Sequence, residues 1–435
     1  MARVLVVGSG AGGATVARAL AGTHAVTVLE AGGSFRPFGR DLDLLARARA
    51  TGVFFDVRMI RLLFPAMQVR RARTRSGTDN MALVNGIGLG GTTTISTGNA
   101  LRCDEGLRAR GIDLDVEFAE LAREVPVTAD HRERWSATTR RLFGVCSDLG
   151  LDPRPLPKFG DYSRCRRCGR CVLGCPSGAK WDARRFLADA AARGATIRSG
   201  WTADTVVVRD GRARGVRARH GLSRATVPAD VVVLAAGGFG TPAILERSGI
   251  RCEPRLFVDP VLCVAAPLAG AAMDREISMP FVVERNGFIV APYLDWLSFF
   301  FDRRWRLPSG DIVPLMVKLR DDDRGRVGTR RIEKELTDGD RARLAEGVAL
   351  CGDLLEHLGA PRATHVLGTL NAGHPGGALP AGLGPNAFHD QRLPENVWVA
   401  DASLLPDALG RPPILTVMAM AKRVATLISQ QTRPS

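Results

Sequence analysis

Four cysteines lie close together in the middle of this chain of 435 residues. Cys165, Cys168, Cys171 and Cys175 precede Pro176 and give the spacing C-x2-C-x2-C-x3-C-P. Bacterial ferredoxins bind iron–sulfur clusters with this spacing, whereas structural zinc sites usually combine two separated pairs of ligands. The spacing therefore predicts a [4Fe-4S] cluster closed by Cys175, with zinc, or with reduced or disulfide-bonded thiols, as the alternatives.

A glycine-rich segment near the amino terminus has the pattern of a dinucleotide-binding unit. Residues 3–7 predict a buried strand, residues 8–13 read G-x-G-x-x-G, and residues 14–20 follow with a helical period. A second strand, residues 25–29, is followed by an acidic residue that can accept a hydrogen bond from a ribose hydroxyl. The glycines let the backbone approach a pyrophosphate at the helix N-terminus. The residues predicted to bind the dinucleotide here are Gly8, Gly10, Ala11, Gly13 and Glu30.

A second G-x-G-x-x-G motif occupies residues 86–91. The residues after it, 92–97, are mainly threonine and isoleucine, whose branched side chains disfavour a helix. The second motif therefore lacks the helix N-terminus that a dinucleotide needs, and we predict a loop that contacts the first dinucleotide. A single complete unit favours FAD over a pyridine nucleotide.

The composition is that of a globular protein, with 45% hydrophobic and 24% charged residues. No run of 18 apolar residues predicts a membrane span, and the first residues lead into the glycine loop rather than into a signal peptide. Nine cysteines without a disulfide framework are typical of a reducing compartment, so we expect a cytoplasmic protein. The net charge of +15 favours acidic partners such as a ferredoxin-like external electron carrier, and no motif for nucleic acid is present.

Four further segments, spread over most of the chain, support a family resemblance. Residues 88–93 resemble a flavin-binding G-x-G-G-S-S loop, and residues 235–250 are similar to a second family signature. Residues 365–369 match H-x-x-G-T, and residues 397–406 with 416–421 resemble a carboxy-terminal segment that returns to the flavin domain. With the amino-terminal unit, the chain resembles the glucose–methanol–choline (GMC) oxidoreductases.

This resemblance implies an α/β fold with a Rossmann-like FAD-binding domain and an α+β substrate domain built on an antiparallel sheet. The sequence supports the division, because residues 202–217 predict a hairpin around Asp210 and Gly211 and residues 231–236 predict a buried strand. The expected FAD-binding domain comprises residues 1–50, 80–105, 185–250 and 376–435. The remaining parts are an insert with the cysteines (106–184), the substrate domain (251–375) and a lid or interface segment (51–79).

The resemblance also implies roles for individual residues. The histidine of the family's H-x-x-G-T motif lies over the reactive face of the flavin, so His365 is the expected general base or acid. The alternative is a histidine that only hydrogen-bonds the flavin or the backbone. The further residues expected to bind FAD are Gly90, Gly91, Thr92, Ala236, Gly237, Asp401 and Thr416.

One position departs from the family pattern. Members that oxidise alcohols carry a second His or Asn near the start of the last helix, where this chain has Pro412. Proline has no side-chain donor or acceptor, so the departure weakens the case for alcohol oxidation without removing the hydride chemistry of the flavin. His374, a few residues after His365, is either a substitute for this partner or a loop residue that contacts solvent.

The predicted function is hydride transfer between flavin N5 and a hydrophobic alcohol or lipid-like substrate, with the [4Fe-4S] cluster relaying electrons to an external carrier. Two alternatives remain open. One is flavin-dependent reduction of a carbon–carbon double bond in an isoprenoid or steroid-like substrate. The other is an electron-transfer flavoprotein without catalysis.

Two segments, residues 53–75 and 293–306, combine aromatic residues with arginine. Apolar surface bordered by cations is typical of a peripheral membrane contact. The alternative is that both segments belong to the core or a lid of the substrate domain. Either interpretation favours a hydrophobic small-molecule substrate.

Overall fold

The computed structural model describes residues 1–37, 47–49, 51–52, 60, 64–74, 81–384 and 387–432. The α-helices with defined bounds in these ranges are α1 (Ala11–Leu20), α2 (Glu105–Arg108), α3 (Asp115–Glu124), α4 (Ala137–Asp148), α5 (Arg184–Ala192), α6 (Gly237–Arg247), α7 (Trp296–Phe301), α8 (Asp338–His357) and α9 (Ile414–Gln431). The first strands are β1 (Arg3–Val7), β2 (Ala25–Glu30), β3 (Met67–Arg71), β4 (Ala82–Gly86), β5 (Val127–Thr128), β6 (Arg154–Pro155), β7 (Lys158–Phe159), β8 (Thr196–Ser199), β9 (Trp201–Arg209), β10 (Arg212–His220) and β11 (Ser223–Pro228). The later strands are β12 (Val231–Leu234), β13 (Val261–Pro267), β14 (Phe281–Arg285), β15 (Phe288–Pro292), β16 (Ile312–Leu319), β17 (Gly325–Val327), β18 (Ile332–Lys334), β19 (Val366–Leu367), β20 (Asn371–Ala372) and β21 (Val397–Val399).

A parallel sheet with the strand order β21-β12-β1-β2-β8 forms one part of the fold. In this sheet β1 lies between β12 and β2, with Val6 opposite Val233 and Val28. The apolar residues of β1 and all of β12 are buried, as expected for central parallel strands that are covered on both faces. α1 packs on β1 and β2 and contacts α5 and α9. The predicted strand–loop–helix–strand unit is therefore present.

A mainly antiparallel sheet, ordered β3-β4-β20-β13-β16-β15-β14-β6 with β19 beside β13, forms the other part. α8 packs across β13, β15 and β16. A separate sheet, β9 to β11, contains the predicted hairpin, with Arg209 opposite Arg212 around the turn at Asp210 and Gly211. The predicted fold class, a Rossmann-like domain with a domain built on an antiparallel sheet, is confirmed.

The aromatic segment of residues 293–306 lies in the core. Phe299, Phe300 and Trp305 are fully buried, and the ring of Trp296 stacks 5.6 Å from that of Phe300. These rings pack with the apolar residues of β16 rather than forming a membrane-binding surface, so the core alternative describes this segment. Much of the other aromatic segment, residues 53–59 and 61–63, lies outside the described residues. Among the helices described, none is long and apolar enough to cross a bilayer.

Candidate active site

A cleft of about 1240 Å³ brings together residues from both large sheets. It is larger than the roughly 300–1,000 Å³ typical of small-molecule pockets, so it has room for a dinucleotide together with a substrate. Part of its wall comes from the loops after β1, β2 and β12. Ligands of open α/β sheets bind at such carboxyl ends of parallel strands. Another part comes from β16 and the loop after β20.

The N-terminus of α1 is open to an anion. Its N-cap is Gly10, which offers no side-chain hydrogen bond, and the first turn contains no acidic residue. The N–H of Ala14 bonds to the Gly10 carbonyl at 3.0 Å, which leaves the N–H groups of residues 11–13 without acceptors in the helix. The helix dipole adds partial positive charge at the same place. This end of α1 therefore fits the pyrophosphate of a dinucleotide.

Close backbone contacts explain why both loops contain glycine. A Cβ atom on Gly8 would lie 2.2 Å from the carbonyl oxygen of Ala235, and one on Gly91 would lie 2.8 Å from the Cα of Gly10. The second motif is followed by a 3₁₀ turn over Gly91–Ile95 rather than by an α-helix, as its branched residues predict. The two glycine loops therefore meet backbone to backbone beside α1.

Glu30, the last residue of β2, links these loops. Its buried carboxylate accepts hydrogen bonds from the Ser9 hydroxyl at 2.6 Å and from the N–H groups of Ser9, Gly32 and Gly88 at 2.9–3.1 Å. Burial raises the pKa of the carboxyl, and these hydrogen bonds oppose the rise. The four donors fill the acceptor sites of the carboxylate, so a ribose hydroxyl must replace one of them. The Ser9 hydroxyl can turn away, because the Gly88 carbonyl lies 3.3 Å from it.

Asp401 holds the turn between β12 and α6. Its buried carboxylate accepts from the N–H of Gly237 at 2.9 Å, from the Thr241 hydroxyl at 2.5 Å and from the N–H of Ser403 at 2.9 Å. Burial raises its pKa, and these bonds oppose the rise. The fixed turn, the glycine loops and the open end of α1 together form a wall that fits FAD.

The structure brings most of the predicted cofactor residues to the cleft. Those that line it are Gly8, Gly10, Ala11, Glu30, Gly91, Thr92, Ala236, Gly237 and Asp401. Gly13 and Gly90 do not line it, because Gly13 packs closely on the Gly8 carbonyl and Gly90 on the side chains of neighbouring residues. Thr416 also lies outside the wall, where its hydroxyl bonds to the backbone of Cys103 in both directions at 3.0 Å.

Three polar residues from different elements meet at another part of the cleft. Asp259 precedes β13, Lys318 lies on β16 and His374 follows β20, and all three line the wall. The antiparallel register places Lys318 opposite Val261, two residues from Asp259. Nζ of Lys318 lies 2.5 Å from Oδ2 of Asp259, and that oxygen lies 3.4 Å from Nδ1 of His374.

The charges of this group favour a neutral histidine. Burial lowers the pKa of His374, and the Lys318 ammonium lowers it further, against the opposing effect of Asp259. Although burial opposes it, Lys318 and His374 hold the pKa of Asp259 below its ordinary value. The group therefore combines an ion pair with an imidazole that can accept a proton near neutral pH.

His365 is not part of this group. It does not line the cleft, and its Nε2 lies 3.0 Å from the carbonyl oxygen of Ala360, a residue close by in the chain. Sequence reasoning weighed His374 only as a substitute partner and missed Asp259 and Lys318. A signal for Lys318 was present, because it is the single charged residue of the otherwise apolar strand Ile312–Leu319.

Apolar residues complete the cleft. Pro412, at the position where the family resemblance expects a second polar side chain, lines the wall with its neighbour Pro413. Further apolar residues of the wall come from the aromatic segment and from the antiparallel sheet. They include Met279, Tyr293, Trp296, Leu297, Phe301 and Met316. This lining favours a substrate with a hydrocarbon body.

The four cysteines of the C-x2-C-x2-C-x3-C-P segment lie close enough to affect one another: burial raises the pKa of Cys165, and Cys168, Cys171 and Cys175 raise it further. The predicted ligands were Cys165, Cys168, Cys171 and Cys175, and all nine cysteines of the chain are free thiols. In the part of the chain that is described, no three His, Cys, Asp or Glu side chains are placed to hold a metal ion. Sγ of Cys165 instead accepts from the N–H of Arg167 at 3.3 Å, and Sγ of Cys175 from that of Lys180 at 3.4 Å. The structure therefore does not confirm the predicted cluster, and the cluster, zinc and reduced thiols stay predictions.

Known proteins share this sequence pattern. A family model described as GMC oxidoreductase matches residues 2–261. An uncharacterized GMC-type oxidoreductase of Mycobacterium tuberculosis is 31% identical over 98% of this chain and 75% of its own length. An uncharacterized protein of Methanocaldococcus jannaschii is 26% identical over 77% of this chain and 85% of its own. A long-chain-alcohol oxidase of Arabidopsis thaliana is 23% identical over 66% of this chain and 48% of its own.

A solved structure shares the fold. The crystal structure of pyridoxine 4-oxidase from Mesorbium loti matches over 100% of both chains, with a TM-score of 0.73 and 17% sequence identity. The family model alone covers more than half of the chain. This chain is therefore a member of the GMC oxidoreductase family, an oxidoreductase enzyme of a family that implies FAD as the cofactor.

Proposed function

We propose that this enzyme uses FAD to oxidise a hydrophobic alcohol to a carbonyl compound, with His374 as the proton acceptor. The position of His374 carries the proposal, because it lines the same cleft as the open end of α1 and faces a buried carboxylate. A neutral imidazole in that position can take the hydroxyl proton of the substrate. The role expected for His365 passes to His374, since His365 does not line the cleft.

The residues of the group have separate tasks. Bound FAD supplies the acceptor for the hydride that leaves the carbinol carbon with its electron pair. The O–H bond of the hydroxyl group on that carbon breaks, its proton passes to Nε2 of His374, and its electron pair forms the second bond of C=O. Nδ1 of His374 makes no hydrogen bond among the described residues, but Oδ2 of Asp259 lies 3.4 Å away and its negative charge favours the proton on Nδ1, with Nε2 as the acceptor.

The apolar wall supports an alcohol with a hydrocarbon chain or ring system. Trp296 and Phe301 line the cleft together with Met279 and Met316, and aromatic and thioether groups of this kind adapt to flexible apolar ligands. The relative in Arabidopsis thaliana is named a long-chain-alcohol oxidase, which agrees with this substrate class.

Anaerobic titration of the FAD-loaded enzyme with alcohols of increasing chain length tests the proposal. We expect long-chain alcohols to bleach the visible flavin absorbance and ethanol to bleach it far more slowly. His374→Gln should slow flavin reduction by at least about 100-fold, the size expected for loss of a general base. His365→Gln serves as the comparison. Slowing by His365→Gln and not by His374→Gln, or no bleaching by any alcohol, would contradict the proposal.

Pro412 favours a second candidate, reduction of a carbon–carbon double bond. It lines the cleft at the position where an alcohol oxidase of the family would carry a polar side chain. Enones should then reoxidise the dithionite-reduced enzyme, and alcohols should not bleach the oxidised one. This pair of results would select the reductase over the alcohol oxidation proposed above.

The proposed reaction does not depend on the predicted iron–sulfur relay and its external carrier, which stay predictions. Iron and acid-labile sulfide in the purified protein test them. About four irons per chain, the content of a [4Fe-4S] cluster, would add an outlet for single electrons. Without iron, electrons leave the flavin directly to a diffusible acceptor.

A further inference from the structure

We propose that Lys318 is a second catalytic group of this cleft, and that its ammonium donates a hydrogen bond to the substrate oxygen. It would supply the polar contact that Pro412 does not provide. Lys318 lies on β16, its side chain is 2% exposed, and it lines the cleft together with His374. The identity of the oxygen, that of an alcohol or its carbonyl product, rests on the proposed function.

The hydrogen bonds of Lys318 leave donors unused. A lysine ammonium carries three N–H donors. Within the described residues, Nζ of Lys318 donates to one acceptor, Oδ2 of Asp259 at 2.5 Å. A buried ammonium is stabilised only when hydrogen bonds replace the water that it has lost. The side chain that carries these unused donors lines the cleft. A ligand oxygen in the cleft can therefore accept hydrogen bonds from them.

A second buried lysine shows what complete bonding looks like in this protein. Nζ of Lys334 lies 2.7 Å from the carboxylate of Asp321 and also donates to the carbonyl oxygens of Leu256 at 3.0 Å and Asp322 at 2.5 Å. It does not line the cleft. The protein can therefore provide acceptors for all three N–H donors of a buried lysine, as at Lys334. At Lys318 it provides one acceptor among the described residues.

The charge that develops in the reaction matches this donor. The substrate oxygen becomes more negative as its proton leaves, and a fixed donor beside it binds the transition state more tightly than the ground state. Asp259 is a positioning residue, since its carboxylate holds the Lys318 ammonium at 2.5 Å and is itself fixed by the N–H of Gly410 at 3.0 Å. Lys318 thus donates a hydrogen bond to the substrate oxygen, and His374 accepts the proton that leaves it.

Binding of octanoate to the FAD-loaded enzyme, followed by the change in the flavin spectrum, tests the proposal without turnover. Octanoate carries a negatively charged carboxylate at the end of an apolar chain, so it can bind the Lys318 ammonium and the apolar wall together. Asp259→Asn keeps the ammonium, and the double variant Asp259→Asn/Lys318→Met removes it without leaving a buried, unpaired carboxylate. We expect octanoate to bind the double variant at least about tenfold more weakly than Asp259→Asn, as the loss of a charged hydrogen bond implies.

The matched control neutralises the pair outside the cleft. Asp321→Asn/Lys334→Met should keep the octanoate dissociation constant within about twofold of wild type, because this pair does not line the wall. Equal octanoate affinity of Asp259→Asn and its double variant would overturn the proposal. Equal weakening in the control would also overturn it, since the effect would then reflect a general loss of structure.

Flavin reduction separates this inference from the proposed function. With an alcohol that bleaches the wild type, Lys318→Met should lower the maximal reduction rate about 100-fold, the effect of removing one oxyanion donor. An unchanged rate would overturn the role of Lys318 while alcohol oxidation stands. If no alcohol bleaches the wild type and octanoate binding still depends on Lys318, the proposed function fails and the role in binding oxygen stands.

Discussion

Two buried lysine–aspartate pairs lie near one another in the fold and differ in their surroundings. The side chains of Lys318 and Asp259 are 2% and 1% exposed, and those of Lys334 and Asp321 are both 0% exposed. Lys334 has protein acceptors for all its donors, whereas Lys318 has one acceptor and lines the cleft. A buried ion pair is therefore not by itself a sign of function. Incomplete hydrogen bonding at the wall of a cleft is the informative feature.

The two carboxylates differ in protonation as well. Burial raises the pKa of Asp321 to about 6, although Lys334 opposes the rise. Asp259 is also buried, yet Lys318 and His374 keep its pKa below the ordinary value. The carboxylate in the cleft therefore keeps its negative charge on mild acidification, and the one outside it loses its charge. Burial lowers the pKa of Lys318, and Asp259 opposes that shift.

The largest expected effect comes from breaking the fully bonded pair. Lys334→Met should lower the free energy of unfolding by about 3–5 kcal/mol, because it leaves the buried Asp321 carboxylate without its counter-ion and two carbonyl oxygens without their donor. Among the described residues, the carboxylate keeps only its bonds from the N–H groups of Val258 and Asp259. Urea unfolding followed by circular dichroism measures the loss. Adding Asp321→Asn should recover part of it. A loss below about 1 kcal/mol would show that the complete bonding of Lys334 has little value for stability.

Breaking the pair in the cleft should cost less. Lys318→Met leaves the buried Asp259 carboxylate without its counter-ion, but this pair lines the cleft, where water can replace the lost hydrogen bond, so we expect a loss of about 1–3 kcal/mol in the free energy of unfolding. The same urea experiment measures it. If Lys318→Met destabilises the protein more than Lys334→Met, then Lys318 has a mainly structural role and the contrast between the pairs is broken.

The pH dependence of stability should differ in sign between the two aspartates. Asp321 has a raised pKa in the folded state, so between about pH 4 and 6 the folded protein binds more protons there than the unfolded chain does. Its contribution to stability is therefore present at low pH and is lost as the pH rises through this window, by up to about 1.4 kcal/mol per pH unit. Asp259, with a lowered pKa, contributes stability above its ordinary pKa and loses it on acidification.

Unfolding free energies of Asp321→Asn and Asp259→Asn across pH 3.5–6.5 check these signs against wild type. Relative to wild type, Asp321→Asn should give a curve that rises more steeply with pH in the window near pH 4 to 6. Asp259→Asn should give a curve that rises less steeply at the acidic end. Curves with the same change of slope would mean that the two carboxylates share one protonation behaviour.

The smallest effect is expected at Pro412. Pro412→Asn introduces the polar side chain that the family resemblance expects, but Lys318 would already supply a donor to the substrate oxygen. We therefore expect flavin reduction to change by about threefold or less in the wild-type background, and by more when Lys318→Met is also present. Stopped-flow flavin absorbance measures both. If Pro412→Asn changes the rate of flavin reduction by the same factor in wild type and in Lys318→Met, positions 412 and 318 do not contact the same substrate oxygen.

Several parts of the protein could be predicted because they depend on residues that are near one another in the chain. The strand, glycine loop, helix and acidic residue of the amino-terminal unit are consecutive, and a helix N-terminus binds anions wherever the fold places it. The absence of an α-helix after the second motif followed from its branched threonines. The cysteine spacing predicts a cluster that the described residues do not confirm, because spacing alone does not fix the backbone turns that orient four thiols.

The sequence by itself determined the cofactor half of the cleft, the fold class and the family, since local patterns of apolar residues and glycines set them. The tertiary structure decided the other half of the cleft, which contains Asp259, Lys318 and His374. Only the pairing of β13 with β16 brings Lys318 to Asp259, and only the path of the loop after β20 places His374 rather than His365 at the cleft. Contacts between residues distant in the chain depend on strand register and packing, which single-residue patterns do not specify.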